Sequence, residues 1–270
     1  MTYTCPKTGH HAMKRFQSVC LFVICGLAAC KAPDRGTPAP EPAAAASQAG
    51  AGQASTGVSM PISVSAQLSA SGTLQAQAGD LSLSLTAPAC IEQSDSLSLC
   101  NREVALSLSR RDGSLQQTLK PDALYLDSVK TVYRGPLDER FPQGVSIVLA
   151  DVDGDGHDDL MLWTGKEGAH GAASYDVFLY DPARRSFEFD QEFSDLTLGS
   201  NGLFAIRDGH LVSTSTDGCC LHVVETYAIE GGRPKLVERV SEDSTEGQDR
   251  VKVRTEKLVD GEMKEVLHQP

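Results

Sequence analysis

The residues with the clearest chemistry are five carboxylates packed into nine positions, Asp151-Val152-Asp153-Gly154-Asp155-Gly156-His157-Asp158-Asp159. Asp151, Asp153 and Asp155 occupy alternate positions of a tight loop, so their side chains can converge on one point. Gly156 follows at the place where such a loop turns sharply, and Asp159 stands at the ninth position. A hard cation such as Ca²⁺ takes six to eight oxygen ligands at about 2.3–2.6 Å, and this spacing supplies carboxylates in that manner. The expected ligands are Asp151, Asp153, Asp155 and Asp159, with the main-chain carbonyl of His157 completing the set. Asp158 is expected to point outward. Without a cation, these carboxylates would repel one another at close range. The loop departs from an EF-hand at its twelfth position, which is Leu162 rather than Glu, and Leu160-Met161-Leu162-Trp163 reads as a strand. The expected role is structural, because no open metal position with a general base beside it is evident.

Directly after that strand comes Thr164-Gly165-Lys166-Glu167-Gly168-Ala169-His170-Gly171-Ala172-Ala173-Ser174-Tyr175. Glycines and small residues cannot build a core, yet the segment is long, and long loops on a rigid sheet often carry binding. A cation fixing one end of the supporting strand would present this segment as a preorganised finger. Lys166 or His170 would form its tip. The chain has no G-x-S-x-G elbow, H-E-x-x-H helix or phosphate loop, and the expectation is a binding protein rather than an enzyme.

The elements that must position these residues are strands. Ile62 to Leu68, Leu81 to Leu85 and Val104 to Ser109 alternate apolar and polar residues, the period of half-buried strands. Turn signals separate the strands at Arg111-Asp112-Gly113, Arg207-Asp208-Gly209, Glu230-Gly231-Gly232 and Asp260-Gly261. Residues 145–190 and 203–240 each read as a four-stranded meander of about 40 residues, the length of one propeller blade. The expected fold is all-β, a small β-propeller of about five partly degenerate blades, with a β-sandwich as the alternative. No window beyond the N-terminal leader shows a helical stripe.

The N-terminus points to an envelope protein. Met13-Lys14-Arg15 begins a basic stretch, Phe16 to Gly26 is an apolar run too short to span a bilayer, and Leu27-Ala28-Ala29-Cys30 follows. This resembles the lipobox of bacterial lipoproteins. The resemblance implies a signal peptide over residues 1–29, with Met13 as an alternative start, and acylation at Cys30. Lys31 after the cysteine implies the outer membrane. Residues 30–57, rich in Ala, Pro, Gly and Ser, read as a flexible tether, and residues 58–270 as one folded domain. The full chain carries a net charge of −12; its first 30 residues hold three basic residues and no acids, so their removal leaves −15. That charge argues against nucleic acid and suits a cationic partner. Besides Cys30, the chain beyond the leader has Cys90, Cys100, Cys219 and Cys220. In an oxidising compartment two disulfides are expected, Cys90–Cys100 and a vicinal Cys219–Cys220 being favoured over the crossed pairings, and over zinc.

The stretch Asp151 to Asp159 is similar to the D-x-D-G-D-G-x-x-D loop of FG-GAP and VCBS-like propeller repeats. With the lipobox, the tether and the whole segment DVDGDGHDDLMLWTGKEGAHGAASYDVFLYDP, the chain resembles the periplasmic immunity lipoproteins of the antibacterial type IV secretion system. The resemblance spans most of residues 13–240 and is densest at 145–182. It implies a calcium-binding β-propeller, anchored in the membrane through Cys30, that inhibits a lysozyme-like peptidoglycan hydrolase effector. It also implies a likeness to periplasmic lysozyme inhibitors, which push a loop bearing Ser and Tyr into the enzyme's cleft. Ser174 and Tyr175 are the matching residues, with Gly168, His170 and Gly171 shaping the finger. Here Ser and Tyr are adjacent, which in a strand sends them to opposite faces. The alternative function is a non-catalytic envelope scaffold that contacts glycan or outer-membrane assembly partners.

Overall fold

The computed structural model describes residues 61–247 and 250–266, all within the unit Thr56–Pro270. The leader, Cys30 and the tether lie outside the described residues. The described chain is all-β: strands make up nearly all of its regular structure, as its alternation requires. Two six-stranded sheets, one four-stranded sheet and one three-stranded sheet account for its described strands.

The four-stranded sheet is antiparallel throughout, in the order β2 (Thr73–Ala78), β3 (Leu81–Thr86), β6 (Ala105–Arg110), β7 (Gln116–Leu119). Its Leu positions are buried and its intervening Ser positions face outward, which is the alternation visible in the sequence. The three-stranded sheet runs β4 (Ala89–Glu92), β5 (Leu97–Arg102), β8 (Leu124–Asp127). Cys90 and Cys100 are cross-strand neighbours on β4 and β5 and are joined by a disulfide. A second disulfide joins Cys219 and Cys220 in the turn between β15 (His210–Asp217) and β16 (Leu221–Glu230). Both bridges are the favoured pairings.

The first six-stranded sheet is ordered β1 (Ile62–Val64), β9 (Val132–Arg134), β10 (Ile147–Ala150), β11 (Asp159–Gly165), β12 (Ser174–Asp181), β13 (Ser186–Asp190). Its last four strands form the antiparallel meander expected for residues 145–190, while β9 and β10 pair in parallel. The second six-stranded sheet is a continuous meander: β14 (Ala205–Arg207), β15, β16, β17 (Arg233–Asp243), β18 (Lys252–Val259), β19 (Glu262–Val266). It contains the meander expected over 203–240 and extends it by two strands.

Strands β10 and β11 are the centre of the core because both of their faces are covered. Ile147, Leu149, Leu160 and Leu162 enter one apolar cluster with Leu83, Leu106 and Leu124. Val148, Ala150, Met161 and Trp163 enter another with Phe193 and Phe204. A strand buried on both sides reads as an unbroken apolar run, which is what Ile147-Val148-Leu149-Ala150 and Leu160-Met161-Leu162-Trp163 are. A short helix, α1 (Gln191–Asp195), brings Phe193 into the second cluster. Asp190 caps it by accepting a hydrogen bond from the Phe193 amide at 3.1 Å. Five residues are too few to show a helical stripe, so the sequence pattern does not reveal this element.

The two disulfides close loops of very different length, and chain entropy predicts unequal contributions. Replacing Cys90 and Cys100 by Ser together is expected to lower unfolding free energy by about 3 kcal/mol. The same change at Cys219 and Cys220 is expected to cost about 1 kcal/mol or less. Urea midpoints of the two double variants check this ordering.

Candidate functional site

The acidic loop joins the two doubly buried strands β10 and β11. Its last residue, Asp159, opens β11 opposite Ala150 and is fully buried, at 0 % exposure. Its carboxylate accepts the Val152 amide at one oxygen and the Tyr180 amide at the other, both at 2.9 Å. The side chain thereby ties the loop entrance to β12. Burial, only partly offset by these two hydrogen bonds, pushes the Asp159 carboxyl up to about 7. Asp151 accepts the Gly154 amide at 2.8 Å and the Gly156 amide at 3.0 Å, and both glycines have the positive φ that this tight turn demands.

Ligand oxygens of Asp151, Asp153 and Asp159 lie within 4.8 Å of one another. Among the described residues, no Lys, Arg or His is ion-paired with any of the three. Burial and the neighbouring carboxylates raise the Asp153 carboxyl as well. A converging, all-oxygen donor set with no positive partner fits a hard divalent cation. This group holds three of the four aspartates expected as ligands from the sequence. Asp155 is outside the converging group; it accepts the His157 amide at 2.8 Å, and its carboxylate lies 3.2 Å from the ring Nδ1 of His157. The His157 ring also packs on Tyr180, with centroids 5.7 Å apart. Asp158 turns away from the group, as expected, and pairs with Arg134 at 2.6 Å. Arg134 also binds Asp80 at 2.6 Å and the Ala78 carbonyl at 2.8 Å, so the loop is strapped to the β2–β3 turn. On another side sits the β16–β17 turn: a Cβ built on Gly232 would stand 3.7 Å from the Asp153 carboxylate.

Strand β11 leads from this loop to the glycine-rich segment. The β11–β12 register slips between Trp163 and Gly165, a bulge at the point where the segment begins. Trp163 donates its indole N–H to the Gly165 carbonyl at 2.6 Å and stacks on Tyr125. Lys166 lies over the other aromatic of that pair, its Nζ 5.0 Å from the Tyr125 ring centroid. Residues 168–172 fold into one short turn, in which Gly168 donates to the Ala172 carbonyl at 3.2 Å. A second segment then pins the turn. Ala169 donates to the Ser200 carbonyl at 2.6 Å and Gly199 donates to the Glu167 carbonyl at 2.9 Å. Gly168 is at closest approach, where a Cβ would stand 2.6 Å from the Ser200 carbonyl oxygen. Lys166, Glu167, His170 and Gly171 are exposed, and His170 and Gly171 both take left-handed backbone angles at the crest.

Ser174 and Tyr175 are not part of an accessible finger. Tyr175 is 2 % exposed; its hydroxyl donates to the Val145 carbonyl at 3.0 Å, and burial holds its phenol well above the usual range. Ser174 is 3 % exposed and its hydroxyl donates to the Glu167 carboxylate. The cause is position: both residues open β12, between the buried β11 and the segment 191–200 that covers its edge. Thr197 accepts the Tyr175 amide and Ser194 accepts the Val177 amide, each at 2.9 Å. The sequence signal for Ser and Tyr therefore marks the root of the loop and not its tip.

Sequence reasoning also missed a cavity of about 370 Å³ beside the loop, lined by Asp122, Glu167, Asp176 and Asp195 with Phe189 and Leu198 at its mouth. Phe189 and Leu198 are 51 % and 52 % exposed. Burial raises the Asp176 carboxyl, and the charges of Asp122 and Glu167 add to the effect. The carboxylates come from four separate parts of the chain, so no sequence motif announces them.

The fold and the loop define an all-β protein in which an Asp-rich turn links two core strands and a braced glycine-rich loop follows. No family model matches the chain, and no curated protein matches it. Among solved structures, a Xanthomonas type IV secretion system related protein is 41 % identical, covering 78 % of this chain and 100 % of that one, with a TM-score of 0.73. The chain belongs to the family of that secretion-related protein.

The pinning bonds give a direct check. The Ala169 and Gly199 amides should exchange with solvent deuterium more slowly than other loop amides. Gly168→Val should speed the exchange of both by about tenfold or more, because its side chain displaces the Ser200 carbonyl. Strands β10 and β11 should keep their protection in that variant.

Proposed function

We propose that the chain is a membrane-anchored periplasmic immunity protein that binds and inhibits a lysozyme-like peptidoglycan hydrolase effector of an antibacterial type IV secretion system. The observation that carries this reading is the loop 166–172. It is exposed at its crest, yet backbone hydrogen bonds pin it to residues 199–200 and an aromatic pair holds its base. A loop ordered before binding loses little entropy when it enters a cleft. Kinship with the Xanthomonas type IV secretion system related protein supports the biological setting.

Lysozyme-type cleavage places two carboxyl groups across a saccharide cleft. The crest presents His170 and the exposed base presents Lys166, donors from which a cleft carboxylate can accept, and their entry excludes substrate. The carboxylates of Asp122, Glu167, Asp176 and Asp195, set beside two exposed apolar side chains, suit the basic surface of such a partner. Ser174 and Tyr175 serve this reading by locking the root of the loop. The chain itself is read as non-catalytic. Its propeller character, its lipid anchor on Cys30 and its outer-membrane location belong to the same proposal.

Calcium is the proposed ion of the Asp151–Asp153–Asp159 group, where its charge would offset three carboxylates that lack a positive partner. Its role there is to hold the loop closed and with it the start of β11. At a hundredfold excess over its dissociation constant, calcium should add about 2.7 kcal/mol of stability, or roughly 5–10 °C in melting temperature. Asp153→Ala should abolish that shift, as read by calorimetry with and without a chelator.

Inhibition is tested by the lysis of a peptidoglycan suspension by a type IV secretion-associated hydrolase in the presence of this chain. The double variant Lys166→Glu/His170→Asp should raise the concentration needed for half-inhibition by roughly 10–100-fold, while loss of the Lys166–Tyr125 contact lowers the melting temperature by only about 2–4 °C. Full inhibition by that variant would remove the loop from the mechanism.

A further inference from the structure

The outer face of the four-stranded sheet is unlike the rest of this acidic molecule. It forms an open groove of about 560 Å³ in which no lining residue is charged. Two cross-strand rows build it: Gln75–Ser84–Ser107–Thr118 and Gln77–Ser82–Ser109–Gln116. In the first row Ser107 and Thr118 hydrogen-bond each other at 2.9 Å; in the second, Ser82 donates to Gln77 at 2.7 Å. The satisfied pairs are therefore at opposite ends of the two rows. The side chains of Gln75, Ser84, Ser109 and Gln116 hydrogen-bond no other described residue. These four run diagonally over the sheet, one from each strand. With strands 4.7–4.9 Å apart, they span about 14 Å across the sheet.

We propose that this diagonal is a binding track for an uncharged glycan strand. Each free group is an amide or a hydroxyl, and each both donates and accepts hydrogen bonds, which matches sugar hydroxyls and N-acetyl groups. A neutral groove on a chain of net charge −12 complements a neutral ligand and offers nothing to phosphate or sulfate. The side chains that line its two rows are polar, with no aromatic or large apolar anchor of the kind a protein partner uses. A peptide would pair with a strand edge rather than lie across the face. Lacking an aromatic platform, the track binds weakly, with a dissociation constant on the order of 1 mM. It holds the protein near wall glycan and leaves the loop 166–172 free. The inference takes its periplasmic setting from the proposed function but does not depend on hydrolase inhibition.

The test uses the full chain, titrated with N-acetylchitotetraose and followed by amide chemical shifts. The expected result is saturable perturbation at Ser84 and Ser109, with no response to a sulfated oligosaccharide of the same length. Gln75→Ala/Gln116→Ala should weaken binding by about tenfold without altering the melting curve, since both side chains are exposed. Absence of saturable shifts, or equal affinity in the double variant, overturns the proposal. Nuclear Overhauser contacts between Ser84 and residues 31–57 would also overturn it, by showing that the chain's own Ala- and Pro-rich segment takes the track. Hydrolase inhibition should be the same in wild type and double variant, so failure of either reading leaves the other standing.

Discussion

A buried carboxylate at the start of a doubly buried strand is the constraint on which the rest depends. Asp159 cannot turn to solvent, because β11 sends alternate side chains into two apolar clusters and a rotation would expose both. A one-residue slip in register would exchange the two sets. The Val152 and Tyr180 amides fix its two oxygens and so fix where β10 ends, where β11 begins and how β12 lies beside them. Burial of its charge is costly without a positive neighbour. Asp151 and Asp153 converge on the same point and add to that cost, which is the physical case for a cation.

Strand β11 runs from this turn to the base of the exposed loop. β11 is seven residues long and stiffened by packing on both faces, and it delivers Trp163 and Gly165 to the base of the exposed loop. Segment 191–200 closes the arrangement: it covers the edge of β12 with Ser194 and Thr197, then offers the Ser200 carbonyl to the loop crest. Thus the loop has an apolar root, two polar braces and an exposed crest. Charge is sorted over the surface in the same economy. Carboxylates gather beside the loop, whereas the four-stranded sheet presents only amides and hydroxyls.

The features legible in the sequence were those set by local periodicity or close spacing. Alternation of Leu with Ser locates β3 and β6, the run Leu160 to Trp163 locates β11, and the meander pattern over residues 145–190 places a strand before the acidic loop. Cys90–Cys100 and Cys219–Cys220 are close in sequence, and short loops favoured those pairings. Spacing within nine residues brought Asp151, Asp153 and Asp159 together on paper as in the structure. Spacing alone does not reveal that the Asp155 carboxylate also accepts the His157 amide. Chemical type says nothing about burial, so the sequence does not reveal that Ser174 and Tyr175 are buried, a burial to which residues about 20 positions later contribute. The carboxylate cavity and the Ser200 brace are tertiary in the same sense, as is the diagonal of unpaired side chains, which depends on register between four strands.

The mechanical link between the acidic turn and the exposed loop is the central claim, and hydrogen exchange across β11 and residues 168–172 tests it most directly. Compared with chelator-treated protein, the calcium-loaded chain should show added protection at Leu160 to Trp163 and also at Ala169 and Gly199. Protection confined to residues 151–159, with the loop amides unchanged, would contradict the account and leave the turn and the loop as independent features.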